Sequence, residues 1–109
     1  MAGPPTTPIT AIALNCTLKS SPEASSTDEM IRLIVDELAQ QHVTTTTFRI
    51  VDEDVWFGVT SDEGDGDGWP RILDAVMEAQ IVVIGTPIWL GHPASVCQVV
   101  MERFDALIS

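Results

Sequence analysis

Apolar side chains recur along this chain in two rhythms. Residues 9–15, 43–51 and 81–85 are apolar or β-branched almost without interruption and read as strands. Elsewhere apolar positions return at helical spacing, first as Ile31, Ile34, Val35 and Leu38, then as Ile72, Leu73, Val76 and Met77. A third set, Val96, Val99, Val100, Phe104, Leu107 and Ile108, runs almost to the last residue. Ser26 followed by Glu29 fits a capping box, and Asp28 and Glu29 suit the positive end of a helix dipole, so the first helix is expected to start there. Pro70 fits the first turn of the second helix, and Pro93 opens the third. Strand alternating with helix three times predicts parallel strands joined by right-handed crossovers.

The stretch 79–93 organises this pattern. Its strand is apolar on both faces, which suits the middle of a layered sheet, and it breaks abruptly into Thr86-Pro87-Ile88-Trp89-Leu90-Gly91-His92. Sheets of this kind bind ligands just beyond the carboxyl ends of their strands, so this loop is the first place to look for function. A strand so apolar wants a neighbour on each side, yet one helix later the sequence stops; an exposed edge invites aggregation. A fragment, or a sheet completed by another chain, is therefore expected.

Composition narrows the class. A chain of 109 residues with 45% hydrophobic side chains suits one globular domain, here 9–109, after a disordered tail over 1–8. A formal charge of −11, from 16 acidic and 5 basic residues, disfavours nucleic acid and anionic lipid surfaces. No apolar run approaches the ~18 residues a bilayer needs, and the start has neither a basic region nor an apolar secretory core. A soluble cytoplasmic protein is the expectation. Cys16 and Cys97 lie far apart and form no CxxC motif, which suits reduced thiols.

The candidate chemistry sits in the loops. Residues 16–27 are dense in hydroxyl groups around a single lysine, Lys19, and Ser25-Ser26-Thr27 ahead of a helix can supply the converging donors a phosphate needs. The same residues also serve as ordinary helix caps. Trp89 can offer a flat π face to a ring, or act as a buried anchor. Cys16 lacks the phosphate-binding arginine of a Cys-x5-Arg loop, since Pro22 stands there, and reads as a small buried side chain. Glu63, Asp65, Asp67, Gly68 and Asp74 match a calcium-loop template in part, but no helix precedes them; a solvated loop covering the sheet edge fits better. His92 reads as an exposed residue before Pro93, and no Cys/His cluster supports zinc.

Taken together, the hydroxyl-rich loop after the first strand and Gly85-Thr86-Pro87-Ile88-Trp89-Leu90-Gly91 after the third resemble the flavodoxin-like superfamily, in particular its NAD(P)H-dependent flavin mononucleotide (FMN) reductases. The resemblance covers about 9–109, roughly the first half of such a fold. It implies an α/β protein, a flavodoxin-like doubly wound parallel sheet truncated to about three strands and three helices. It further implies that Thr17, Lys19, Ser25, Ser26 and Thr27 surround the flavin phosphate while Thr86, Pro87, Ile88, Trp89, Leu90 and Gly91 lie beside the isoalloxazine ring. The cofactor so implied is FMN, with NAD(P)H as electron donor, a flavin, quinone or other small molecule as acceptor, and a homo-oligomeric assembly. The first loop departs from the compact Thr/Ser-x-Thr-Gly-x-Thr and Gly-Ser-x-Arg forms of that superfamily, being longer and carrying Lys19 as its positive charge. Two other outcomes follow from the same residues: a single-electron carrier docking a basic protein partner, or a structural fragment with no bound cofactor.

Overall fold

The computed structural model describes residues 8–107, apart from the side chain of Trp89. The tail expected over 1–8 therefore lies almost wholly outside the described residues, as does Ile108. Three strands, β1 (Thr10–Asn15), β2 (Thr44–Arg49) and β3 (Ile81–Gly85), form one parallel sheet in the order β2-β1-β3. Helix α1 (Ser26–Gln40) connects β1 to β2, and α2 (Trp69–Glu78) leads into β3. A two-stranded antiparallel hairpin, β4 (Ile88–Trp89) and β5 (His92–Pro93), precedes α3 (Ser95–Arg103) and a closing 3-10 turn at Phe104–Leu107. The α/β class and the parallel strands predicted from the pattern are both present, and so is the doubly wound arrangement that the resemblance implies.

Register decides which side chains share a face. Ile12 pairs with Val82 and Leu14 with Ile84, and this face of β1 packs on Trp69, Ile72, Val76, Cys97 and Val100. On the other face Asn15 lies between Arg49 of β2 and Gly85 of β3, in one row at the carboxyl end of the sheet. Helix α1 begins directly over that row. A Cβ on Gly85 would lie 2.8 Å from Ile31 Cδ1 and 3.1 Å from Thr27 Cγ2, so the glycine is what lets the first turn of α1 settle on β3.

Several expectations need correction. The cap of α1 is Ser25 paired with Asp28, one residue before the Ser26–Glu29 box expected from spacing, because Ser25 is the extended residue whose hydroxyl accepts from Asp28 N. Ile34 is exposed; Ile31, Val35 and Leu38 carry the inward face of α1. The second strand stops at Arg49, where Ile50–Asp52 turns into a 3-10 helix. Pro93 belongs to β5, and the last helix starts at Ser95. Among the described residues β3 is an edge strand, with Val82 42% and Ile84 37% exposed; β1 is the central one.

The acidic stretch corrects the sequence reading most sharply. It is not merely solvated, because the side chain of Asp67 is fully buried in a bidentate pair with that of Arg103 of α3. Arg103 also donates to the carbonyls of Thr60 at 3.0 Å and Trp56 at 2.8 Å, while Asp67 accepts from the N–H groups of Trp56, Glu63 and Trp69. The guanidinium lies 5.7 Å from the Trp69 ring centroid, and Phe104 meets that ring edge-on at 5.0 Å. Hydrogen bonds from Arg103 outweigh the effect of burial and hold the Asp67 carboxyl far below the usual carboxylate range. No cluster of three or more His, Cys, Asp or Glu side chains that could hold a metal ion occurs among the described residues.

Candidate functional site

The two loops singled out in the sequence meet. A cleft of about 590 Å³ opens at the carboxyl end of the sheet, lined by Thr17, Leu18, Lys19, Ser25, Ser26 and Thr27 from the β1–α1 side and by Pro87 and Ile88 from the β3–β4 side. It lies where β1 and β3 send their chains to helices on opposite faces, the position that a parallel α/β sheet leaves open for a ligand.

Each cleft residue of the β1–α1 side has a structural reason for its place. Cys16 N donates to Gly85 O at 2.8 Å, extending the sheet one residue and setting where the loop departs. Thr17 N is then held by Asn15 Oδ1 at 3.0 Å, and Thr17 Oγ1 accepts from Lys19 N at 3.3 Å, which leaves the threonine hydroxyl proton to be donated. Ser25 and Asp28 cap α1 reciprocally. Ser26 and Thr27, whose N–H groups have no acceptor within the helix, line the cleft beside them. Helix dipole, free N–H groups and hydroxyls thus converge from one side.

Charge singles out Lys19. Among the described residues every arginine is paired with a carboxylate: Arg32 with Glu29, Arg49 with Asp28, Arg71 with Glu53 and Arg103 with Asp67. Lys19 instead reaches only the Ala24 carbonyl, at 3.3 Å. In a chain of net charge −11, the one lysine or arginine among the described residues that is outside an ion pair stands on this cleft. A cation kept free among so many acids is suited to an anionic ligand.

On the other side, Thr86 acts behind the cleft. Its Oγ1 accepts from Ala94 N at 3.0 Å and donates to Pro87 O at 2.9 Å, closing the hairpin at its base. Leu90 and Gly91 form the hairpin tip at positive φ, 51° and 79°, where Leu90 is 99% exposed and neither residue lines the cleft. Trp89 pairs with His92 through the backbone; its side chain lies outside the described residues.

Three residues that the sequence reading did not select belong to the site's support. Asn15 Nδ2 donates to Asp28 Oδ1, and Arg49 Nη2 donates to Asp28 Oδ2. Arg49 Nη1 also donates to Lys19 O at 3.0 Å and Glu23 O at 2.7 Å. Burial acts to raise the Asp28 pKa, but the bonds from Asn15, Arg49 and Ser25 prevail and hold it below the usual carboxylate range. The available signal was a lone arginine ending an otherwise uncharged, Thr-rich strand. Cys16, by contrast, is fully buried; burial first, then the neighbouring Cys97, push its thiol up to about 12, so it offers no thiolate.

A parallel sheet ordered β2-β1-β3, with its first and third loops converging at the carboxyl edge, defines a flavodoxin-like α/β unit. The chain belongs to the NADPH-dependent FMN reductase family, whose pattern matches residues 10–108. It is 31% identical over 106 residues to the 8-demethyl-8-aminoriboflavin-5'-phosphate synthase of Streptomyces davaonensis, a match covering 89% of this chain and 41% of the synthase. The crystal structure of RosB with bound intermediate OHC-RP (8-demethyl-8-formylriboflavin-5'-phosphate) superposes with a TM-score of 0.74 at 31% identity, over 89% of this chain and 42% of that one. A further relative, the divalent metal cation transporter MntH of Mycobacterium bovis, is 39% identical over 103 residues, which are 91% of this chain but 15% of the transporter. The chain thus spans less than half the length of each of these relatives. Among the described residues no helix is long and apolar enough to cross a membrane.

Proposed function

We propose that the cleft binds FMN, with its phosphate against Lys19 and the start of α1, and that the chain forms part of an NAD(P)H-dependent oxidoreductase reducing a flavin, quinone or other small acceptor. The observation that carries this reading is the unpaired Lys19 among the hydroxyls of Thr17, Ser25, Ser26 and Thr27 in so acidic a chain. Family membership supports the flavin. The donor set fits a phosphate: one ammonium, several hydroxyls and helix N–H groups on one side, with Pro87 and Ile88 offering apolar surface to a ring on the other. FMN, when bound, supplies the two-electron chemistry. The chain's own residues hold the phosphate and shape the loop.

Titration of the purified chain with FMN and with riboflavin, followed by flavin fluorescence, tests the reading. Saturable FMN binding is expected, weakened about tenfold in Lys19→Gln as one charge-assisted contact is lost, with riboflavin little changed. No saturable binding of either flavin defeats it. Steady-state NAD(P)H oxidation then separates an oxidoreductase from a single-electron carrier, which turns over little without a separate reductase. Sedimentation equilibrium tests whether a second copy covers the exposed β3 edge.

A second reading has its own support in the synthase and RosB, whose names and ligand concern riboflavin-5'-phosphate derivatives. On that reading the flavin phosphate is a substrate to be altered. Mass spectrometry of the flavin recovered after turnover decides, because a cofactor returns unchanged.

A further inference from the structure

We infer that Arg49, with Asp28 and Asn15, is a positioning device for the anion-binding loop: it fixes the main chain that carries Lys19 without touching the ligand. The inference rests on the flavin-phosphate reading of the cleft and deepens it.

Arg49 stands at the last position of β2, in the row with Asn15 and Gly85, and approaches the β1–α1 loop from behind. It lines a separate groove with Asn15, Ser21, Asp28 and Asp52, and is absent from the lining of the cleft. One nitrogen, Nη1, bridges the carbonyls of Lys19 and Glu23 and so clamps the two ends of the segment bearing the lysine. The other, Nη2, is oriented by Asp28, which Asn15 and Ser25 N hold in turn. Asp52 adds a bond to Ser21 N at 3.1 Å within the clamped segment. The planar fork of a guanidinium can serve a carboxylate and two carbonyls at once; a lysine ammonium at the same place is a single point charge.

The Asp28 pair also neutralises Arg49, which separates two roles. Lys19 provides the charge a phosphate meets, while Arg49 provides the geometry in which that charge is offered. A loop already held in its binding form loses less conformational entropy when ligand arrives, and that advantage is specific to the phosphate end. Riboflavin has the ring and lacks the phosphate, so it reports on everything except this loop.

The test uses the full 109-residue chain as wild type, R49M and R49K. FMN and riboflavin affinities are measured by fluorescence, and amide exchange is measured across residues 19–23 without ligand. In R49M, FMN affinity is expected to fall about tenfold with riboflavin changed less than about twofold, and the loop amides are expected to exchange faster. R49K keeps the charge and loses the fork, so its FMN affinity is expected to stay at least about threefold weakened. FMN and riboflavin weakening in parallel, or R49K binding FMN like wild type, overturns the inference. Should R49M fail to fold, D28N takes its place: about a threefold loss of FMN affinity alone supports the device, and wild-type affinity overturns it. Absence of FMN binding by the wild type defeats the flavin reading itself; the clamp is then judged by exchange alone, and loop amides no faster in R49M overturn it.

Discussion

Arg103→Met removes the hub that ties the acidic stretch to α3. The guanidinium makes four hydrogen bonds, to both carboxylate oxygens of Asp67 and to the carbonyls of Trp56 and Thr60, and both charged side chains are 0% exposed. Methionine fills much of the volume but leaves the Asp67 carboxylate buried with three backbone N–H donors and no countercharge. Breaking a buried pair from one side costs about 3–5 kcal/mol. Set against the roughly 5–15 kcal/mol that stabilises a domain, the variant should stand close to unfolding. With a urea slope of about 2 kcal/mol/M, the midpoint should fall by roughly 2 M, read from tryptophan fluorescence and far-UV circular dichroism together. The double variant R103M/D67N should lose less than the two single losses combined, with a coupling of about 1–3 kcal/mol. A loss in R103M below about 1 kcal/mol, or strict additivity in the cycle, would show that the pair is solvent-relaxed and that the loop is held by other contacts.

Acid should act on this node and on Asp28. Asp67 and Asp28 both titrate below the ordinary carboxylate range in the folded chain, so each contributes stability that is complete above the unfolded-state pKa and is lost as pH falls from there through the folded value; unfolding midpoints measured from pH 7 downward should begin to decline as the ordinary carboxylate range is reached and keep falling below it, and D67N should flatten the decline. Cys16 and Cys97 are buried and reduced, and with the Cys16 thiol pushed up to about 12 both should resist alkylation at pH 8 in the native chain and react at once in denaturant; rapid labelling of the native protein would contradict their burial. Gly68→Ala would bring a Cβ within 1.5 Å of the backbone carbonyl oxygen of Glu53, which no rotamer change relieves, and should destabilise by about 3 kcal/mol in the same urea assay.

What the sequence settled on its own was whatever depends on neighbours in the chain. Uninterrupted β-branched runs and 3.6-residue spacing located three strands and three helices, and their alternation sufficed for a parallel sheet, because a crossover helix joins strands only in that sense. The candidate loops were legible for the same reason, since in such a sheet function collects at the carboxyl ends of the strands. Contacts between distant residues were not legible. The acidic stretch looked solvated because nothing within thirty-five residues of Asp67 announces that Arg103 will bury against it. Arg49 lay inside the strand read over 43–51, with nothing to mark it, until register set it at the strand's end beside Asn15 and below Asp28. Local propensity acts over a few bonds along the backbone, whereas pairing of buried charges is decided by which surfaces the fold brings together; only the tertiary structure could say that Arg49 bonds to Asp28 and to the carbonyls of the β1–α1 loop, and that among the described residues Lys19 is the one lysine or arginine without a carboxylate partner.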